Sequence, residues 1–369
     1  MISYLEIDLA KIKDNFRALK KIISNAQILA VVKSNAYGHG LVPVSKAIEK
    51  VGVDYFGVDS IEEGLTLRKE KIKSPILVFG WPEPDLIEEA AEKELTLSVF
   101  DRDTVHRISK AGVKLKKPIK VHVKIETGMH RFGIYPQEVL EFFNYLKRSP
   151  KVVLEGVYSH FASVESKDKS YTFKQLGEFQ KVTELLKKEG FEVAIKHIAN
   201  SGAALSMPST HLDMVRLGIC LYGLFPAPEL GSFFDLKSAL EFKSKIVSLK
   251  KVNGNEKIGY FGSFVTRVPT LLAVVPVGYA HGYDRKLSSL AKVLVRGKRA
   301  PVIGSICMSN MMVDVSGVEN VEVGDEVVLI GKQGNEVITA GELAGLLGTI
   351  NYEVVARLSA DLPRKYLSL

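Results

Sequence analysis

A lysine at the mouth of an apolar run is the first residue in this 369-residue chain whose type and setting could do covalent chemistry. Ile28, Leu29, Ala30, Val31 and Val32 form a continuous hydrophobic stretch that runs into Lys33-Ser-Asn-Ala-Tyr-Gly-His-Gly40. Such a run reads as a strand buried on both faces of a parallel sheet, which puts Lys33 where the strand emerges. Low-dielectric surroundings there would lower the pKa of its amine and make it a Schiff-base nucleophile, with a flexible glycine-flanked turn behind it. Alone, a strand-end lysine reads first as an ordinary surface group. The rest of the chain decides between the two.

Other reactive residue types fall at comparable places. Tyr37 follows Lys33; further on come Lys124-Ile-Glu-Thr-Gly-Met-His-Arg131, then His160, Asn200-Ser201 before Gly202-Ala-Ala204, and Arg216-Leu-Gly-Ile219. The elements that must position them are short apolar runs at Ile28–Lys33, Tyr55–Val58, Ile76–Phe79, Leu95–Phe100, Ile119–Glu126, Val152–His160, Val193–Ala199 and Leu212–Leu221. Between these lie amphipathic stretches centred on Ile61–Arg68, Leu86–Ala91 and Val139–Leu146, and one carrying Phe173, Leu176, Phe179, Val182, Leu185 and Leu186 that stops at Gly190. Roughly eight strands, each followed by a helix, predict a (β/α)8 barrel. An open doubly wound sheet has a similar local pattern, and the strand count favours the barrel.

Barrel active sites lie at the C-terminal ends of the strands, which is where the lysine, the histidine and the two arginines would converge. Ser201, before Gly202, reads as a helix N-cap, and the loops after the seventh and eighth strands are the usual barrel phosphate site. A phosphate site across the mouth from a Schiff-base lysine points to pyridoxal 5′-phosphate (PLP).

After Pro226 the alternation fails. β-rich runs follow at Ser244–Val252, Leu271–Val277, Ala291–Val295, Val302–Ile306, Met312–Val315 and Glu326–Gly331, interrupted by one helical stretch, Ala340–Leu347. We expect two domains: a cofactor-binding barrel over 1–235 and a smaller, mostly antiparallel β domain over 236–369. A net charge of +8 comes from lysines scattered over polar faces, with no basic run interleaved with aromatics, so nucleic acid is not an expected partner. No apolar run is long enough for a membrane span, and the N-terminus lacks a secretory pattern. Cys220 and Cys307, without CxxC or metal-ligand spacing, fit a reduced cytoplasm and no metal.

Several segments, taken together and in order, are more specific than any of these signals. Those around Lys33 and Arg131, with His197-Ile-Ala-Asn-Ser201, Met214-Val-Arg-Leu-Gly-Ile219, Val275-Pro-Val-Gly-Tyr-Ala280, Cys307-Met308 and Asn351-Tyr-Glu353, resemble the alanine racemase family over nearly the whole chain. The resemblance implies a PLP-dependent enzyme of barrel plus β domain, a head-to-tail homodimer with shared sites, which interconverts L- and D-alanine and supplies D-alanine for peptidoglycan. It implies that Lys33 carries PLP and is one of two bases, while Tyr260 of the partner subunit is the other. Inversion at Cα needs a proton taken from one face and returned on the other. His160 would bond this tyrosine, with Arg216 behind it facing the pyridine nitrogen; being donor-only, arginine cannot plausibly protonate that nitrogen. Tyr37, Ser201, Gly218, Ile219 and Tyr352 match phosphate-binding positions. Arg131 matches a residue near the cofactor's phenolic oxygen and the substrate carboxylate, Met308 a partner-chain donor to that carboxylate, and Tyr279 a residue narrowing the access channel. Lys124 matches a lysine that is carbamylated in some members. Ser309, His281 and His130 depart from the family's frequent aspartate, aspartate and glycine. A broad-specificity amino-acid racemase, a PLP-dependent decarboxylase and a non-enzymatic PLP carrier are the alternatives.

Overall fold

A computed structural model describes residues 1–23 and 25–368. They divide into two compact units, one of Lys11–Ala36 with Leu41–Lys237, the other of Met1–Ala10, Tyr37–Gly40 and Ser238–Leu369. The β unit therefore also takes in two segments from the N-terminal part of the chain, which the sequence boundary at 235 had placed with the barrel.

The first strand, β1 (Tyr4–Asp8), belongs to the β unit. The barrel is built by β2 (Gln27–Val31), β3 (Tyr55–Val58), β4 (Ile76–Val78), β5 (Thr96–Val99), β6 (Ile119–Lys124), β7 (Val152–Tyr158), β8 (Ile195–His197) and β9 (Met214–Leu217). They pair in parallel in the order β8-β7-β6-β5-β4-β3-β2-β9. The ring closes between its ends through Asp213 N–H to Lys196 O at 3.1 Å and Arg216 N–H to Ala199 O at 3.0 Å. This is the barrel that the apolar runs predict, and the two-sided burial of those runs explains why they lack alternation: every residue of β3, β4, β5 and β9 is buried.

The helices between the strands start on side-chain caps where the sequence offers them. Ser60 caps Ile61–Lys69 and Asp101 caps Arg102–Leu115, each accepting from the amide three residues on. The ninth strand is followed by two 3-10 turns, Ile219–Tyr222 and Pro228–Ser232, where an α-helix is expected. Asn15, on the N-terminal helix Leu9–Ile23, hydrogen-bonds Leu221 O at 3.1 Å in the first of these turns.

In the β unit, β10 (Leu240–Lys245), β11 (Ser248–Val252), β14 (Thr270–Val275), β15 (Lys292–Val295), β16 (Lys298–Ile303), β17 (Met311–Asp314), β18 (Glu326–Gln333) and β20 (Arg364–Leu367) form one sheet with β1. Its order is β11-β14-β17-β16-β15-β18-β10-β1-β20, with β19 (Glu336–Ile338) paired to β18. All pairs are antiparallel except β1–β20. A separate hairpin, β12 (Lys257–Ile258) with β13 (Phe264–Val265), carries Tyr260 in its connection.

Candidate active site

Lys33 stands just past β2, as expected, but its surroundings are polar. Its side chain is 35% exposed, and Nζ donates to Asp59 Oδ1 at 2.8 Å, in place of the apolar pocket that the sequence suggested. Nor is the turn behind it a loose glycine linker. Ser34, Asn35, Ala36 and Tyr37 all have φ between 52° and 55°, a run of non-glycine residues in the left-handed region. Each costs about 1–2 kcal/mol there, so the turn must be over-determined. Glu63 accepts from the amides of Ser34 (2.7 Å) and Asp59 (2.9 Å), Ala36 N–H reaches Val32 O (2.8 Å), and Asn35 Oδ1 accepts from Leu41 N–H (2.9 Å). Glu63 and Asp59 thus fix the lysine's strand end. Neither is singled out by the sequence, since two acidic residues near a helix start look like ordinary helix-dipole partners.

Arg216 is 4% exposed on β9. Its guanidinium donates to His197 Nδ1 (2.9 Å), His160 Nδ1 (3.0 Å), Ser159 O (2.7 Å) and Ile198 O (2.9 Å). Because arginine has no lone pair to offer, both imidazoles accept at Nδ1 and carry their proton on Nε2. Burial, then the Arg216 charge, holds both histidines well below the ordinary imidazole range, so they are neutral. Burial lowers Arg216 itself to about 10, leaving it charged at neutral pH. Among the described residues its Nε–H has no acceptor.

Lys124 ends β6 and is 5% exposed, with Nζ 5.6 Å from the Phe132 ring centre and 5.7 Å from that of Tyr158. Burial and then the positive charges of Arg131 and Arg216 push it down to about 8. Arg131 is exposed on a loop closed by Glu126 N–H to Ile134 O and Ile134 N–H to Lys124 O. The Glu126 carboxylate also accepts from the amides of Gly128 and Met129.

At the β8 and β9 ends the sequence reading needs one correction: the cap of helix Ser201–Ser206 is Asn200, whose Oδ1 takes the Ala203 amide at 3.0 Å. Asparagine in extended backbone caps at least as well as serine. Ser201 is freed for another task. Its Oγ accepts the Gly218 amide at 2.9 Å, tying the two strand ends together, while its hydroxyl, a donor as well as an acceptor, also pairs with the Cys220 thiol. Ile219 opens its 3-10 turn, so its amide has no partner within the turn.

Within the β unit, the rings of Tyr37 and Tyr352 lie 6.1 Å apart. Tyr260 follows Gly259 (φ 73°) and is 64% exposed. It borders a cleft of about 580 Å³ with Tyr279, Ile306, Cys307 and Met308. Tyr279 N–H to Cys307 O (3.1 Å) and Ala280 N–H to Met308 O (2.9 Å) join the two loops. His281, one of the departures, accepts the Gly278 amide at Nδ1 (3.2 Å), a duty that an aspartate carboxylate could equally perform.

The donor set suits PLP. A strand-end amine can condense with its aldehyde, the serine hydroxyl and the turn amide suit a phosphate, and a buried guanidinium with an unspent N–H suits an unprotonated pyridine nitrogen. A lysine and a phosphate cradle on a (β/α)8 barrel define a PLP-binding barrel enzyme. The comparisons narrow the class. Residues 7–226 match the family description "Alanine racemase, N-terminal domain" and residues 239–366 match "Alanine racemase, C-terminal domain". The chain is 42% identical over 368 residues to "Alanine racemase 1" of Caldanaerobacter subterraneus subsp. tengcongensis, covering 98% of this chain and 94% of that protein. Alanine racemase of Clostridium difficile 630 superposes with a TM-score of 0.94 at 36% identity, covering 100% of this chain and 96% of the other. For that of D-cycloserine-producing Streptomyces lavendulae the TM-score is 0.96 at 34% identity, covering 100% and 97%. The chain belongs to the alanine racemase family. It is a PLP-dependent isomerase that interconverts L- and D-alanine. Among the described residues no helix is long and apolar enough to cross a membrane.

Proposed function

We propose that racemisation runs between Lys33 and Tyr260 of the partner subunit, each handling a proton on one face of the substrate Cα. The barrel part (1–235) binds PLP, and the β part (236–369) supplies Tyr260 and Met308 to the site of a second copy in a head-to-tail homodimer. When bound, PLP supplies the electron sink that makes the Cα–H acidic. Lys33 anchors it, Ser201 and Ile219 hold its phosphate with Tyr37, Tyr352 and the strand end at Gly218, and Arg216 faces its ring nitrogen. An arginine there leaves the ring unprotonated, a weaker sink that favours quick return of the proton over transamination or elimination.

His160 offers Nε2–H, so it acts as a donor that stabilises the Tyr260 phenolate, and the charge of Arg216 helps the tyrosine ionise. Arg131 pairs with the substrate carboxylate and with PLP's phenolic oxygen, and the Met308 amide adds a donor to that carboxylate. Lys124, lowered by burial to a pKa of about 8 and with no ion pair among the described residues, has more neutral amine near pH 7 than an ordinary lysine; carbamylation of that fraction would give an anion that steadies Arg131. Tyr279 narrows the access channel. The product serves peptidoglycan synthesis in the cytoplasm.

The observation that carries this reading is the position of Lys33 just beyond β2 of the closed ring, immediately before a left-handed turn pinned by Glu63. Borohydride reduction of the holoenzyme followed by peptide mapping should find the pyridoxyl label on Lys33. A label on another residue would overturn the assignment.

A further inference from the structure

The barrel interior contains a hydrogen-bonded line that the proton chemistry at its mouth leaves unused. From Arg216 it runs to His197 Nδ1 (2.9 Å), from His197 Nε2 to His122 Nδ1 (2.8 Å), and from His122 Nε2 to Glu155 Oε2 (3.2 Å). Both imidazoles are fully buried. Tyr55 on β3 donates its hydroxyl to the same Glu155 oxygen at 2.8 Å, and Lys120 reaches the other oxygen at 2.6 Å. β3 and β7 are not neighbours in the sheet, so the Tyr55–Glu155 bond crosses the interior of the ring.

The direction of this line is fixed at both ends. Arginine only donates, so His197 must accept at Nδ1 and pass its single proton, on Nε2, toward His122. An ionised carboxylate only accepts, so His122 must direct its own Nε2–H at Glu155. The hydrogen bonds from His122, Lys120 and Tyr55 outweigh partial burial and keep Glu155 ionised, down to about 2.

Two backbone features are shaped around the line. The β6–β7 register pairs Val121 with Leu154 and then His122 with Gly156, so Glu155 is the extra residue of a β-bulge. Bulges re-aim a side chain and recur beside functional sites. At Gly156, an added Cβ would stand 2.6 Å from the His122 ring, so only glycine lets the imidazole lie across the strand.

We propose that Glu155 is a positioning residue for Arg216: as the accepting end of the line it holds both histidines in the one polarity that the guanidinium requires, so that His197 presents a lone pair, never a proton, to Arg216. A reversed line would set N–H against N–H at Arg216 and displace it. The proposal rests on the reading of Arg216 as the group facing the cofactor's ring nitrogen.

The test is 15N NMR of histidine-labelled protein, with PLP and stripped of it. In both forms His122 and His197 should be neutral Nε2–H tautomers across neutral pH; an Nδ1–H tautomer or an imidazolium at either would overturn the line without any variant. Glu155→Leu removes the acceptor at similar volume. It should disturb the tautomers, shift the visible absorbance of bound PLP and lower kcat about tenfold, with KM for alanine within about twofold. Glu155→Gln, which keeps an acceptor oxygen, should restore the Nε2–H pattern and most of kcat. Unchanged tautomers and kcat in Glu155→Leu, with only thermal stability lost, would overturn the positioning role. Disturbed tautomers with an unchanged PLP spectrum would overturn the reading of Arg216, and with it the proposed role, while the line itself stood.

Discussion

The two groups proposed to move protons come from regions built in opposite ways. Around Lys33 and Arg216 the barrel is finished within one chain: Arg216 is 4% exposed and bonded to four acceptors, and Lys33 is clamped by Asp59 and by a strained turn. In the β unit, Tyr260 is 64% exposed, Phe261 beside it 93%, and Met308 59%. Tyr260 and Met308 border the cleft and Phe261 adjoins Tyr260, so exposed apolar groups gather on this side of the β unit. Electrostatic pre-organisation is thus tight around Lys33 and Arg216, whereas the surroundings of Tyr260 are open to solvent.

The contrast breaks most completely at Lys33. On the proposed roles, Lys33→Ala removes both the anchor for PLP and one of the two proton-handling groups. Activity should fall by more than about 10^4-fold, beyond the usual contribution of a single acid–base group, and the yellow absorbance should be lost. A variant that stayed yellow and active would end the comparison.

Tyr260→Phe is the smaller and sharper cut. It should keep the cofactor, since no barrel residue changes, yet lose about 10²–10⁴-fold in removal of the α-proton from L-alanine. Mixing the two variants should then restore activity, because one site of a mixed dimer would have both an intact barrel and an intact tyrosine. Inert mixtures of well-folded dimers would refute site sharing.

The same contrast governs what was legible in the chain. Most barrel strands are largely buried and rich in apolar residues, so all eight appeared as short apolar runs, and the reactive residues fell at their ends. The β unit was read less well. Ser244–Val252 looked like one strand but is two, β10 and β11, because the break at Ile246-Val247 is apolar and lacks a turn residue. β1 and β20 went unread, because they pair with each other from opposite ends of the chain, and no local pattern encodes that. His122 and Glu155 went unread as well, although a histidine and a glutamate inside otherwise apolar runs were visible. Their meaning depends on a bulge and on an unrelated strand, β8. Nor could spacing choose between Asn200 and Ser201 as the cap, since both residue types do the job.

A pH titration of stability separates the regions further. His122 and His197 have folded pKa values below the ordinary 6.5, chiefly from burial. The unfolded chain therefore binds more protons than the native one as pH falls. Their contribution is complete above about pH 6.5 and is lost on acidification, each by at most about 1.4 kcal/mol per pH unit. Glu155 adds a loss in the same direction below its ordinary 4.5, complete only near pH 2. Urea midpoints should accordingly drop from pH 6.5 downward, and His197→Asn should flatten that slope. A flat wild-type profile between pH 6.5 and 5 would mean that the histidines are not held neutral.

The smallest effect expected is at His281, and it probes how lightly the β unit holds its loops. Gly278 is pressed against the opposite loop so closely that a Cβ there would lie 2.1 Å from Cys307 O, and the tie runs on through Tyr279 and Ala280 to Met308. The His281 ring closes this turn from one side by accepting the Gly278 amide. His281→Ala leaves that amide to water and should cost about 1 kcal/mol, as for other lost caps. His281→Asp replaces one acceptor with another and should stay within about 0.5 kcal/mol of the parent. Because the two loop-to-loop amide bonds survive in both variants, kcat should be unchanged in each. A large kcat loss in His281→Asp would show that the imidazole does more than cap, and that the β unit is also organised electrostatically around its cleft.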